Sequence, residues 1–284
     1  MTDLDDLVRL LTLSRLGGDE FEGANPAEQR TRIYGGQLLG QALAAAQQTV
    51  DDARPVHSLH AYFLAEGDPA QPVRYEVERT RDGRSFSARR VVARQGGRAV
   101  FSLLCSLQAP EEGLVHQDGA LPADLAPPER CPSYQQWIGE RDDDYAEEWR
   151  RETRPYEIRY VDPPSPWRGT TAKEHQYMWI RTAGALPDDP ALHAAVLAYL
   201  SDKTLVDNVL LPHGRRWGEA EVQGASLDHA MWFHRPVRAD QWLVFDQWTQ
   251  ATGGGRGLAR GDFYTAAGEL GATCLQEGLI RIRA

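Results

Sequence analysis

The segment Ser58-Leu59-His60-Ala61-Tyr62-Phe63 recurs, slightly altered, as Ser226-Leu227-Asp228-His229-Ala230-Met231-Trp232-Phe233. Two more pairs of similar segments follow in the same order. Residues 83–89 (Gly-Arg-Ser-Phe-Ser-Ala-Arg) resemble residues 255–260 (Gly-Arg-Gly-Leu-Ala-Arg), and Cys105-Ser106-Leu107-Gln108 resembles Cys274-Leu275-Gln276. Gly-Arg pairs and amphipathic strands are common, so one match alone means little. Several matches at a nearly constant separation indicate an internal duplication.

Each copy contains one apolar helix followed by four strands. Gly35-Gly36 precedes the Leu- and Ala-rich residues 37–48, and Asp189-Pro190 is a typical helix start before residues 191–205. Turn residues separate the strand-like segments in both copies, and one such segment of the second copy covers residues 226–234. The pattern predicts an α+β double hotdog, in which two tandem units each have a long helix wrapped by a curved antiparallel sheet. We expect units at residues 1–109 and 156–284, with a Pro-rich linker at 110–155.

The net charge and the hydropathy of the chain disfavour nucleic-acid-binding and membrane-spanning proteins. The 284-residue chain has a net charge of −10, whereas nucleic-acid binders usually carry a basic excess. No apolar run is long enough for a membrane span, and the acidic N-terminal residues do not resemble a signal peptide. Three widely spaced cysteines suggest reduced thiols. We therefore expect a cytoplasmic protein with neither a nucleic-acid partner nor a membrane span.

Several catalytic signatures are missing from the sequence. Ser226 lies in Gly-Ala-Ser-Leu-Asp, which lacks the second glycine of a serine-hydrolase elbow. Residues 253–257 match no phosphate-binding loop, and we interpret them as a hairpin turn. The eight histidines show no zinc-site spacing, so no metal is expected. His57 and His60 are interpreted as structural residues facing opposite sides of a strand.

An ordered set of motifs resembles the acyl-CoA thioesterase II family along nearly the whole chain. The motifs are Gly35-Gly36-Gln37, Val56-His57-Ser58-Leu59-His60, residues 81–90 (Arg-Asp-Gly-Arg-Ser-Phe-Ser-Ala-Arg-Arg), Tyr199-Leu200-Ser201-Asp202, residues 228–236 (Asp-His-Ala-Met-Trp-Phe-His-Arg-Pro) and Gln276-Glu277-Gly278. The resemblance implies a double hotdog that hydrolyses medium- to long-chain fatty acyl-CoA without a metal or redox cofactor.

The resemblance also implies three catalytic residues: Asp202, Ser226 and Gln276. Family members often have Thr where this chain has Ser226, and the hydroxyl is retained. An ionised Asp can orient and deprotonate water, while a hydroxyl and an amide can hold that water in place. Each residue read alone has an ordinary structural explanation, and only the family match selects them together.

Other candidate contacts are less specific. Backbone N–H groups at Gly36 and Gln37 are candidates for the oxyanion site, because a helix N-terminus favours negative charge. Arg84, Arg89 and Arg256 are candidates for contacts to the CoA phosphates, together with Arg90 and Arg260. A solvated strand face explains these arginines equally well, and Trp232-Phe233 fits a core better than an acyl tunnel.

Two other functions remain open at this stage. A hotdog enoyl-CoA hydratase would need an Asp/His pair, and no His follows Asp202 closely in the sequence. A non-catalytic acyl-CoA binding protein would not require the polar trio. The exposed sheet edges expected for this fold, together with the habit of the family, suggest a homo-oligomer, either a dimer or a tetramer.

Overall fold

The computed structural model describes residues 3–26, 32–50, 54–139, 147, 154–161, 175–215 and 221–282. The described strands form one antiparallel sheet in the order β1-β2-β4-β5-β6-β3-β10-β13-β12-β11-β8-β7, with β9 beside β13. The strands are β1 Ser14–Gly17, β2 Glu20–Gly23, β3 Val56–Phe63, β4 Val73–Asp82, β5 Phe86–Gln95, β6 Arg98–Gln108, β7 Tyr156–Tyr160, β8 His175–Thr182, β9 Val222–Ser226, β10 Asp228–Phe233, β11 Leu243–Gly253, β12 Arg256–Thr265 and β13 Leu270–Ile282.

The sheet order reflects the repeat found in the sequence. Its two central strands, β3 and β10, pair with Leu59 opposite Met231. Outward from this pair, β6, β5 and β4 on one side correspond to β13, β12 and β11 on the other. The duplicated segments therefore occupy equivalent positions on the two sides of one seam.

Two long helices meet across this seam. The described α-helices are α1 Leu4–Leu11, α2 Gly35–Gln47, α3 Tyr134–Ile138 and α4 Pro190–Ser201, and 3₁₀ turns cover Pro128–Arg130 and Val206–His213. Helix α2 packs on α4 and on β4, β5 and β6. A Cβ atom at Gly40 would lie 3.0 Å from the Ala195 carbonyl oxygen, so the two helix backbones approach closely.

Burial explains why both helices are so apolar. Leu39 and Leu43 of α2 and Val196 and Leu197 of α4 are completely buried. Each such side chain contributes about 1.5–3 kcal/mol relative to an exposed position. The N-cap Asp189 accepts a hydrogen bond from the Ala191 amide at 2.9 Å, as its position before Pro190 predicted.

The structure corrects three sequence-based boundaries. Helix α4 ends at Ser201, and a separate 3₁₀ helix begins at Val206, whereas a helix to about residue 205 was expected. The expected single strand over residues 226–234 is interrupted at Leu227, so that β9 and β10 both pair with β13 at different registers. The outer strands β1, β2, β7 and β8 were not predicted. Strands β1, β2 and β7 have only four or five residues, and β8 has three consecutive buried residues, so none gives a clear alternating signal.

Part of the segment that joins the two strand sets, around residues 121–131, packs on the sheet. Cys131 forms a small cluster with Trp179, Val244 and Tyr264, and the Trp179 indole donates to the Ala126 carbonyl at 2.9 Å. Residues 140–146 and 148–153 of the expected linker lie outside the described residues. The unit boundaries at 109 and 156 remain a prediction. The three cysteines are free and buried.

None of the helices in the described residues has the length and apolarity needed to cross a membrane.

Candidate active site

Asp202 occupies the C-cap position of α4, and its side chain is buried, with 8 % of the residue exposed. A carboxylate at a helix C-terminus faces the negative end of the helix dipole, which is unfavourable. Burial in an apolar interior adds a second cost for the charged form. An acid in this position therefore depends on donors supplied by other elements.

Two such donors come from different parts of the fold. The Gln276 side-chain amide on β13 donates to Asp202 Oδ1 at 2.5 Å. The backbone N–H of Gly36 at the start of α2 also donates to the Asp202 carboxylate. The positive end of the α2 dipole therefore faces the carboxylate, and Asp202 lies where the two sequence repeats meet.

The electrostatic balance at Asp202 is dominated by burial. Loss of solvent raises the pKa of Asp202 from 3.8 to about 6, while the Gln276 hydrogen bond, the charge of Lys203, the Gly36 amide and the charge of Arg32 each oppose that rise. The carboxyl is therefore ionised at neutral pH, yet it is a much stronger base than an ordinary aspartate. A general base operates best with a pKa near the working pH.

The first two residues of α2, Gly35 and Gly36, are required to be glycine by this close approach. A Cβ atom at residue 35 would lie 2.7 Å from Asp202 Oδ2. A Cβ atom at residue 36 would lie 2.3 Å from the Tyr199 carbonyl oxygen. Any larger residue would push α2 away from α4 and from the carboxylate.

Ser226 lies on the same side of the sheet as Gln276. It ends β9 and pairs with Gly278, two residues beyond Gln276 on β13. Residues two apart on a strand share a face, and directly paired residues point to the same side. The Ser226 hydroxyl makes no hydrogen bond within the described part of the chain, so it is open to a water or a substrate. The three predicted catalytic residues thus lie on one face near the seam.

The predicted oxyanion donors are engaged elsewhere. The Gln37 N–H donates to the Tyr34 carbonyl at 3.1 Å, and the Gln37 side chain is buried against Asn25 at 2.7 Å. The Gly36 N–H serves the Asp202 carboxylate. Both N–H groups thus have acceptors within the described part of the chain, and their role as oxyanion donors stays a prediction.

Three of the five candidate arginines have different surroundings. Arg89 is 1 % exposed and donates to Thr49, Arg81, Ala88 and Asp82, so its guanidinium cannot reach a CoA phosphate. Arg256 is exposed and pairs with Glu277 at 3.0 Å. Arg84 is exposed at a hairpin end. The prediction is therefore wrong for Arg89 and remains untested for the other two arginines.

Sequence reasoning missed a second carboxyl beside Asp202. Asp207 is partly buried in the 3₁₀ helix, and burial together with the charge of Asp202 raises its pKa to about 7. The two side chains are five residues apart, a spacing that does not share a face on a regular helix. Only the break between α4 and the 3₁₀ helix brings them together.

The two histidines of β3 are not part of this site. His57 is half-buried and shares a hydrogen bond with the Ser106 hydroxyl at 2.8 Å. His60 is exposed and lies edge-on to Trp232, with ring centroids 5.2 Å apart. The partners of the two histidines, Ser106 on β6 and Trp232 on β10, lie on the strands that flank β3. These contacts agree with a structural role for both histidines.

Comparison with known sequences identifies the chain's family. The family described as Acyl-CoA thioesterase matches residues 145–279, and the one described as Acyl-CoA thioesterase N-terminal domain matches residues 24–108. Acyl-CoA thioesterase 2 from Haemophilus influenzae is 36% identical over 280 residues, covering 98% of both chains. The chain belongs to the acyl-CoA thioesterase family. It is accordingly an enzyme that hydrolyses acyl-CoA thioesters.

Other thioesterases and solved structures agree with this assignment. Acyl-coenzyme A thioesterase 8 from Rattus norvegicus is 38% identical over 286 residues, covering 96% of this chain and 88% of the relative. The crystal structure of acyl-CoA thioesterase II TesB2 from Mycobacterium marinum matches with a TM-score of 0.79 at 39% identity, covering 98% of each chain. A hot dog protein from Alicyclobacillus acidocaldarius matches with a TM-score of 0.79 at 19% identity, covering 98% of this chain and 99% of that chain, a likeness of fold alone. The hotdog fold predicted from the sequence is thereby confirmed.

Proposed function

We propose that this thioesterase hydrolyses medium- to long-chain fatty acyl-CoA with a water activated by Asp202. The observation that carries the proposal is the buried Asp202 carboxyl, whose pKa is raised to about 6 and which accepts from Gln276 at the meeting point of two helices. Among the three proposed catalytic groups, only the carboxylate can accept a proton near neutral pH.

The reaction follows from these roles. Asp202 takes one proton from water as the oxygen attacks the thioester carbonyl, and the C=O π electrons move onto the carbonyl oxygen. The intermediate then collapses, the C–S bond breaks, and the CoA sulfur leaves with the bonding electrons as a thiolate or with the proton from Asp202. The second amide hydrogen of Gln276 and the Ser226 hydroxyl are available to hold the water or the carbonyl oxygen.

Thiol release is the direct test. The purified enzyme is mixed with acyl-CoAs from short chains to palmitoyl-CoA, with and without EDTA, and free CoA is titrated. We expect turnover to rise from short to medium and long chains and to be unaffected by the chelator. A preference for short chains, or loss of turnover with EDTA, would refute the proposal. The same samples, assayed for hydration of an enoyl-CoA, test the hydratase alternative.

Localisation and assembly are also part of this proposal. The three free, buried cysteines support a reducing compartment such as the cytoplasm. The outer face of β3 and β6 carries exposed Tyr62 and Leu104, which supports a homo-oligomer. Light scattering of the purified enzyme tests the assembly, and a monomer at micromolar concentration would contradict it.

A further inference from the structure

A buried histidine lies directly behind the proposed catalytic residues. His229 is the second residue of β10 and is only 1 % exposed. Burial lowers its pKa to about 3, so the imidazole is neutral whenever the enzyme works. A neutral imidazole with so low a pKa is a poor base. Any contribution that His229 makes to the reaction therefore comes from its hydrogen bond.

That hydrogen bond runs to the residue before Asp202. His229 Nε2 lies 2.9 Å from the Ser201 hydroxyl oxygen, and the Ser201 hydroxyl donates its single hydrogen to the Ala198 carbonyl at 2.8 Å. We therefore assign the donor role to His229, with its proton on Nε2, since the hydroxyl has only one hydrogen. Its Nδ1 atom is buried and accepts from no group in the described ranges. The Ser201 contact is thus the one side-chain hydrogen bond that the structure gives this ring.

The end of α4 is therefore tied to the sheet twice. Ala230 pairs with Leu275, so the register puts His229 beside Gln276 on the inner face. Ser201 and Asp202, which are consecutive, bond to these two neighbouring side chains in turn. With only one of these hydrogen bonds, the end of α4 could rotate about that contact. With both, its orientation is fixed.

The free-energy cost of burying the His229 imidazole indicates that its hydrogen bond to Ser201 is important. A buried imidazole loses its hydration, and an acceptor without a donor adds a penalty that a hydrocarbon side chain would avoid. The neighbour across the strand pair, Ala61, is small and makes no polar contact with the ring. An apolar residue would fill this core position at lower cost. The compensating gain is the hydrogen bond to Ser201.

We propose that His229 is a positioning residue, which holds the end of α4 through Ser201 and so fixes the Asp202 carboxylate against Gln276 and Gly36. This inference rests on the proposed role of Asp202 as the base. Without the tie, Asp202 moves toward solvent and its contacts lengthen. We expect kcat to fall by about tenfold to a hundredfold, the scale found when a reacting group is slightly misplaced. KM should change less than threefold.

The low-pH side of the kcat–pH profile, called the acid limb here, distinguishes a residue that positions Asp202 from one that only stabilises the fold. A less buried Asp202 is easier to ionise, so its apparent pKa should move down from about 6 toward 3.8. The titratable and charged groups near Asp202 among the described residues are Lys203, Asp207, Arg32 and Cys274, and the variants below leave them unchanged. In a variant that is only less stable, the molecules that remain folded should show the same apparent pKa as wild type.

The experiment compares four variants by kcat, KM and pH profile at a temperature well below each melting point. His229→Asn is too short to reach Ser201, whereas His229→Gln places an amide N–H near the position of Nε2. Ser201→Ala removes the other partner with little change in volume. His234→Gln is the control for a histidine hydrogen bond away from Asp202, because His234 is exposed and shares a hydrogen bond with Thr273 at 3.0 Å.

We expect His229→Asn and Ser201→Ala to lower kcat and to shift the acid limb of the pH profile to lower pH. His229→Gln should recover most of the kcat and of the wild-type pH profile. The control His234→Gln should match wild type. Wild-type kcat and an unmoved limb in folded Ser201→Ala would overturn the inference, as would a loss in His229→Gln equal to that in His229→Asn. Asp202→Asn is measured alongside. If Asp202→Asn is inactive while the His229 and Ser201 variants match wild type, only the positioning role fails. An active Asp202→Asn would instead refute the proposed base.

Discussion

Replacing Asp202 by Asn should make the enzyme inactive and more stable at the same time. The amide keeps the shape of the carboxyl and can still accept from Gln276, but it cannot take a proton from water. Loss of a general base typically costs a factor of 10² to 10⁴. We expect kcat to fall at least about a hundredfold, with a small change in KM.

The gain in stability follows from the raised pKa. Folding moves the pKa of Asp202 from 3.8 to about 6, so the folded state binds the proton more tightly than the unfolded state. The free energy of unfolding therefore decreases as pH rises from about 4 to 6, and each pKa unit corresponds to about 1.4 kcal/mol. The titration of Asp202 should by itself lower the stability of wild type by about 3 kcal/mol across this window. The Asn variant should lack this contribution, because its side chain does not titrate.

The measurement is denaturant unfolding of both proteins between pH 4 and pH 8. We expect the variant to be more stable by up to about 3 kcal/mol at pH 8, or roughly 5–10 °C in melting temperature, and nearly equal to wild type at pH 4. Asp124→Asn, at an exposed position in the connecting segment, is the control and should give no pH-dependent difference. A stability difference independent of pH would refute the raised pKa, and retained activity would refute the base.

Three further predictions concern neighbouring positions. Gly35→Ala should lower kcat about tenfold or more, because its Cβ atom would displace the catalytic carboxylate, whereas Gly113→Ala, with no atom within 4 Å of its Cβ, should match wild type in a turnover assay. Asp207→Asn should move the acid limb of kcat/KM to lower pH by less than about one unit, since a neighbouring negative charge is removed; a limb that moves upward contradicts this coupling. Arg89→Met should destabilise the fold by about 2–3 kcal/mol in denaturant unfolding without raising KM for acyl-CoA, in contrast to Arg98→Met at an exposed position, which should change neither. A raised KM in Arg89→Met would restore its predicted contact with CoA.

Much of the fold could be predicted because its signals are local. The Asp189-Pro190 start, the apolar α2 and α4 segments and the turn-bounded strands each reflect preferences of neighbouring residues. The duplication supplied the long-range information that such patterns usually lack. The edge strands and the interruption at Leu227 could not be predicted, because pairing across the sheet decides them.

The candidate site was predicted only as a set of residue types. The motif around Ser201-Asp202 and the positions of Ser226 and Gln276 are in the sequence, together with their resemblance to a thioesterase family. Nothing local distinguishes the exposed Arg90 from the buried Arg89. Likewise, the sequence does not reveal that the Gln37 amide is already bonded to Tyr34.

The sequence by itself determined the two-unit hotdog architecture and the chemical groups available for hydrolysis. The tertiary structure decided how those groups behave. Asp202 becomes a useful base because α2 of one repeat and β13 of the other enclose it, removing solvent while supplying the Gly36 and Gln276 donors. Solvent exclusion and donor placement depend on residues more than 70 positions apart in the chain. The pKa of Asp202 depends on these surroundings, which come from distant parts of the chain, so a local sequence pattern cannot encode it.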